Sequence, residues 1–187
     1  MLDRLILPLA GAALLASAVP AVAQVNLAAA RASLRGADHE VSAVAETRGI
    51  LGLVPYLADS ADVLLPGLPL LRGRDVAAEW LDMPPFAEMR LMLEPVRIDV
   101  SADGRSGYTY GGATRITDDG PAPARYIAFW NWDGADWKIA AFHFNAAQQP
   151  VTPPPAGFFP EPAATGPASS GTDAAAALEQ IMQADRD

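Results

Sequence analysis

The spacing of apolar residues changes once along the chain, and this change constrains the fold class. Between residues 26 and 81 apolar residues recur at helical intervals, which predicts helices at 26–48 and 74–81. Between these helices we predict a polar turn at 58–62 and a short strand at 63–65. From residue 89 onward apolar and polar residues alternate, which predicts four strands at 89–100, 107–117, 126–132 and 137–145.

Helices followed by a run of hairpin-connected strands indicate an α+β fold rather than a parallel α/β fold. The turn sequences Ala102-Asp103-Gly104 and Asp133-Gly134 are typical of antiparallel hairpins. We therefore predict a curved antiparallel sheet that wraps around the long N-terminal helix, because this arrangement buries the apolar faces of both.

Composition excludes several kinds of site. The chain of 187 residues has no cysteine and two histidines, which excludes disulfides, thiolate nucleophiles, cysteine metal sites and a three-histidine zinc centre. A formal net charge of −9 argues against nucleic acid as a partner, because phosphate backbones require clustered lysine and arginine. Nucleotide-binding and hydrolase motifs are absent as well. We predict no metal and no cofactor.

The first 23 residues have the pattern of a signal peptide. Arg4 precedes an apolar run from Leu5 to Val19, and the segment ends in Ala21-Val22-Ala23. The alternative is an uncleaved anchor, although the run is short for a bilayer span. Cleavage predicts a periplasmic or secreted bacterial protein without stable membrane insertion.

The C-terminal part has a different composition from the preceding residues. Seven prolines lie between Pro150 and Pro167, which predicts a linker over 148–173 after a domain at 24–147. Residues 174–187 are helix-prone, and at an offset of 147 residues they match the first helix, with Ala175-Ala176-Ala177 against Ala28-Ala29-Ala30. The match is either a coincidence between alanine-rich helices or the start of a truncated second domain.

The segment from Tyr56 to Trp80, with its acidic stretch, Pro66-Gly67 and Gly73-Arg74, resembles the nuclear transport factor 2-like superfamily. The sequences Gly107-Tyr-Thr-Tyr-Gly111 and Trp137-Lys-Ile139 are similar to its SnoaL-like and ketosteroid-isomerase-like branches. The resemblance implies a cone-shaped sheet with a pocket at its wide end, and a homodimer.

The same resemblance implies that the ketosteroid isomerase catalytic groups are missing. The general base of that family precedes a proline, where this chain has Leu65, and its helix tyrosine corresponds to a position near Val41. No carboxylic acid lies in the strand at 126–132 to serve as the second oxyanion donor. We therefore reject isomerisation by that mechanism.

We predict an apolar pocket lined mostly by aromatic side chains. The predicted ligand-binding residues are Tyr56, Trp80, Met92, Tyr108, Tyr110, Tyr126, Trp130 and His143. In the last strand, alternation places on one face Trp137, Ile139, Ala141, His143 and Asn145. His39, with its neighbours Asp38 and Glu40, is predicted to lie on the solvated surface of the first helix.

The predicted function is non-catalytic: binding of a small apolar molecule, or association through the open sheet face. One alternative is a SnoaL-like lyase or isomerase that uses His143 with Tyr110 on a small organic substrate. His143 is otherwise a structural or dimer-face residue. A further alternative is a structural dimerisation module in a tandem protein.

Overall fold

A computed structural model describes residues 25–117 and 119–152. The predicted signal peptide, most of the predicted linker and the predicted C-terminal helix lie outside the described residues. The described elements are, in chain order, α1 (Leu27–Arg48), a 3₁₀ helix (Ile50–Tyr56), β1 (Leu57–Leu64), β2 (Leu71–Arg72), α2 (Arg74–Leu81), β3 (Arg90–Val100), β4 (Ser106–Thr117), β5 (Gly120–Trp132) and β6 (Trp137–Ala146).

The strands form one open sheet in the order β2-β1-β6-β5-β4-β3. From β6 to β3 every neighbouring pair is antiparallel, as the hairpin signals predict. β1, however, runs parallel to β6, so the sheet is mixed and not purely antiparallel. The predicted α+β class, with a long first helix against a sheet, is confirmed.

Helix α1 begins and ends where the sequence predicts. The Asn26 side chain caps its first turn by accepting a hydrogen bond from the Ala29 N–H (3.0 Å), and Gly49 ends it with a φ of +78°. Its buried stripe has helical spacing and consists of Leu34, Asp38, Val41 and Ala45. Asp38 therefore faces the sheet, and the prediction that it lies on the solvated surface is wrong, whereas His39 and Glu40 are exposed.

The acidic stretch predicted as a turn at 58–62 is part of strand β1. This strand buries Leu57, Ala61 and Val63, and its acidic residues point away from the core toward arginines. Asp59 forms an ion pair with Arg74 (2.9 Å), and Asp62 lies 3.9 Å from Arg72. The prediction of a turn is wrong because the burial of Leu57, Ala61 and Val63 outweighs the low strand propensity of aspartate.

A β-bulge in β6 reverses the predicted face of His143. Phe129 pairs with Ala141 while the next residue, Trp130, pairs with Ile139, so Ala140 is the extra residue. The alternation changes phase at that point, and the inward side chains after the bulge are Phe142 and Phe144. His143 and Asn145 therefore point to the opposite face from Trp137 and Ile139, which contradicts the predicted single face.

Candidate functional site

Large aromatic side chains lie among the aliphatic residues of the interior between α1 and the sheet. Tyr126 and Trp130 on β5 are each 1% exposed, so neither side chain lines a cavity that is open to solvent. The Trp130 indole N–H donates to the Thr109 hydroxyl oxygen on β4 (3.0 Å). These two residues, predicted as ligand contacts, occupy core positions.

Asp38 lies in the same interior, opposite Tyr126. Its side chain is 0% exposed, and its Oδ2 accepts a hydrogen bond from the Tyr126 hydroxyl (2.8 Å). Burial raises the pKa of Asp38, while the hydroxyls of Thr109 and Tyr126 and the nearby His39 oppose this shift. Burial, together with the Asp38 carboxyl group, also raises the pKa of Tyr126.

This pair is the reverse of the arrangement that the ketosteroid isomerase resemblance implies. There the tyrosine comes from the first helix and the acid from a strand, whereas here Asp38 is on α1 and Tyr126 on β5. A sequence signal for Asp38 exists, because it lies four residues after Leu34 and three before Val41, on the buried stripe. Because both side chains are enclosed, the pair has no surface at which a substrate could bind.

The opposite side of the sheet carries a mainly apolar surface, which we call the outer face. The pairing of the strands places the side chains of the outer face in two neighbouring rows, which run across β1, β6, β5 and β4. The outer face consists of Leu64, Tyr108, Tyr110, Ile127, Phe129, Ala141 and His143. Phe129 is 48% exposed and Leu64 42% exposed, and the rings of Phe129 and Tyr108 lie 6.4 Å apart.

Charged residues border the outer face on β3. Arg97 donates to the Tyr108 hydroxyl oxygen (2.6 Å) and contacts Asp99 (3.2 Å), which also pairs with Arg31 of α1 (3.0 Å). This network fixes Tyr108 and ties the β3 edge to the helix. At one end of the sheet, Val151 covers the backbone of Gly112.

The remaining predicted site residues lie at separate places. Tyr56 donates to Glu40 (2.9 Å) at the rim of a groove of about 510 Å³ between α1 and the 3₁₀ helix. Trp80 is half-buried on α2, and Met92 is half-buried on β3. Together with the interior and outer-face residues, they do not form one pocket.

His143 and Tyr110 do not form a catalytic pair in this geometry. The His143 Nδ1 lies 2.9 Å from the Leu64 carbonyl oxygen, a contact that joins β6 to β1. Ile127 of β5 separates His143 from Tyr110 in the same row, and two strand spacings amount to about 10 Å. Among the described residues, His143 contacts the Leu64 carbonyl oxygen, and no hydrogen bond joins it to Tyr110.

Within residues 25–117 and 119–152 no three His, Asp or Glu side chains are grouped to hold a metal ion. In the same part of the chain no helix is long and apolar enough to cross a membrane.

Solved structures share this architecture. A protein from Novosphingobium aromaticivorans described as nuclear transport factor 2-like with a cystatin-like fold is 13% identical, with a TM-score of 0.54 over 65% of this chain and 84% of its own. A nuclear transport factor 2-like protein of unknown function from Pseudomonas putida is 15% identical, with a TM-score of 0.53 over 64% of this chain and 88% of its own. The domain has the nuclear transport factor 2-like fold. The resemblance noted in the sequence is thereby confirmed at the level of the fold.

A third similar solved structure comes from Xanthomonas campestris. It is described as a putative calcium/calmodulin-dependent protein kinase II association domain, and it is 16% identical with a TM-score of 0.50 over 63% of this chain and 86% of its own. No protein-family model matches the chain. No curated protein matches its sequence either.

Proposed function

We propose that this nuclear transport factor 2-like domain is an association module that forms a homodimer through the outer face. The observation that carries the proposal is the exposure of Phe129 and Leu64 in the two neighbouring, mainly apolar rows of the outer face. Water-exposed apolar surface of this kind is typical of a protein interface. Inside the described domain, Tyr126 and Trp130 are enclosed and present no surface to a ligand.

Charge supports a second copy of the chain as the occupant of this face. Arg125 on β5 and Glu94 on β3 are both exposed and lie in the same row of side chains, next to the outer face. Asp62 on β1 lies at the opposite border of the outer face. Both signs of charge therefore border the same apolar centre. A two-fold interface repeats each contact, so Arg125 of one copy can meet a carboxylate of the other.

The comparison with the Xanthomonas campestris protein favours the same function, because that protein is described as an association domain. Its likeness to this chain is one of fold only. The assignment of a homodimer here therefore depends on the outer face itself.

Sedimentation equilibrium of the full chain, purified after export, tests the proposal. We expect a mass twice that of the monomer at micromolar concentration and dissociation on dilution. A monomer throughout the concentration range would contradict it.

Export is part of the proposal, and recovery of the mature chain from the periplasm or the medium, beginning near Gln24, checks it.

The groove between α1 and the 3₁₀ helix favours a second candidate function, binding of a small apolar molecule. The groove has a volume of about 510 Å³ and is lined by Glu40, Val44, Arg48, Leu51, Gly52, Pro55 and Tyr56. Most of this lining is apolar, and the hydrogen-bonded Tyr56 and Glu40 supply polar atoms at the rim. This mixture is common in small-molecule sites.

Leu51→Arg is expected to weaken binding of the neutral fluorescent probe N-phenyl-1-naphthylamine at least about tenfold, because a charged side chain replaces the apolar lining. Fluorescence titration measures the change. Leu70→Arg is the matched control, since Leu70 is exposed and does not line the groove. Equal probe affinity in both variants would remove this candidate.

A further inference from the structure

Asp38 is a buried carboxyl group with incomplete hydrogen bonding. Its Oδ2 accepts one hydrogen bond, from Tyr126, and its Oδ1 has no hydrogen-bond partner. The side chain makes no ion pair with any described residue. An ionised carboxylate at such a position is unfavourable, because its hydrogen bonding replaces the lost hydration only in part.

The groups that face Asp38 compensate a negative charge only in part, because burial outweighs the hydroxyls of Thr109 and Tyr126 and the nearby His39. Tyr126 on β5 donates its one hydroxyl hydrogen, and β4 presents the hydroxyl of Thr109, which does not titrate in the physiological range. On β3, Asp99 forms an ion pair with Arg31 of α1. Arg31 lies two helical turns before Asp38. On α1 itself, His39 is adjacent but exposed to solvent.

We propose that Asp38 is a proton-binding site of the folded domain: its carboxyl group stays protonated at neutral pH and joins α1 to β5 as a neutral acid. The domain therefore takes up a proton when it folds near neutral pH. This inference is independent of the proposed association, because the side chain lies on the inner side of the sheet.

The sign of the resulting pH dependence follows from linkage. Burial raises the pKa of Asp38 in the folded state above its ordinary value of 3.8. The stabilising contribution of this group is complete below pH 3.8 and is lost progressively as the pH rises through the folded-state pKa. Within that window, Asp38 alone changes the unfolding equilibrium constant by up to about tenfold per pH unit.

Urea unfolding of the full chain at fixed protein concentration, between pH 5 and pH 8, tests the proposal. Asp38→Asn keeps the shape of a neutral acid and cannot ionise, so we expect it to remove Asp38's part of the pH dependence. Relative to this variant, the wild type should lose stability as the pH rises. Glu46→Gln is the matched control on the exposed side of α1 and should keep the wild-type pH dependence.

A carbon-13 NMR titration of the wild-type Asp38 carboxyl carbon gives a second measurement that does not depend on the variant folding. We expect the chemical shift of a protonated carboxyl group at pH 7. A carboxyl group that is mostly ionised at pH 7 would overturn the proposal. So would an Asp38→Asn variant whose unfolding has the same pH dependence as the wild type.

Discussion

Phe129→Glu is expected to raise the dimer dissociation constant on the order of 1,000-fold, because an interface hot spot contributes about 2 kcal/mol and a two-fold interface contains it twice. Phe129 lies in the middle of the outer face beside Tyr108, where burial by a second copy would remove its exposed ring from water. A glutamate there would be buried without a partner. Sedimentation equilibrium across a dilution series measures the constant.

Val76→Glu provides the control for this experiment. Val76 is 42% exposed on α2, outside the outer face, and receives the same change from apolar to acidic. We expect its dissociation constant to match that of the wild type. If both variants dimerise with wild-type affinity, the outer face is not the interface.

Trp130→Ala is expected to lower the free energy of unfolding by about 3–5 kcal/mol, the usual cost of removing a large aromatic side chain from a packed core. Trp130 is 1% exposed, and its loss also removes the hydrogen bond to Thr109. Urea denaturation at fixed protein concentration measures the loss.

Trp80→Ala is the matched control for the core substitution, because Trp80 is the same residue type and is half-buried on α2. We expect a clearly smaller loss of stability. A Trp130→Ala variant no less stable than Trp80→Ala would indicate that the interior holds a ligand cavity and not a packed core.

Much of the fold follows from local patterns in the sequence. The helical spacing of Leu34 and Val41, the capping residue Asn26 and the stop at Gly49 are enough to define α1. The predicted helix at 74–81 has the observed bounds of α2, and the turn at Asp133-Gly134 defines the β5–β6 hairpin. These features depend on residues close together in the chain.

The features that escaped prediction depend on contacts between distant segments. The parallel pairing of β1 with β6 joins Leu64 to His143, and no local pattern encodes a partner so far along the chain. The bulge at Ala140 changes the phase of alternation without a glycine or proline to mark it. Simple alternation therefore places His143 on the same face as Trp137 and Ile139, whereas the bulge turns it to the opposite face.

Asp38 is a different case, because its position was readable from the sequence but its residue type argued against burial. Aspartate is rarely enclosed unless it is paired, so the charged neighbours His39 and Glu40 favoured a surface assignment. The helical spacing from Leu34 was the better guide. A polar residue on an apolar stripe can therefore mark an internal hydrogen bond.

The most direct test of association through the outer face is an inter-subunit distance measurement. The chain has no cysteine, so Asn131→Cys on the outward side of β5 and Val76→Cys on α2 each give a single site for a spin label. Double electron–electron resonance on the two singly labelled proteins compares the distances between copies. Dimerisation through the outer face predicts a dipolar signal with a shorter distance at residue 131 than at residue 76. No dipolar signal at either position, or a shorter distance at residue 76, would contradict it.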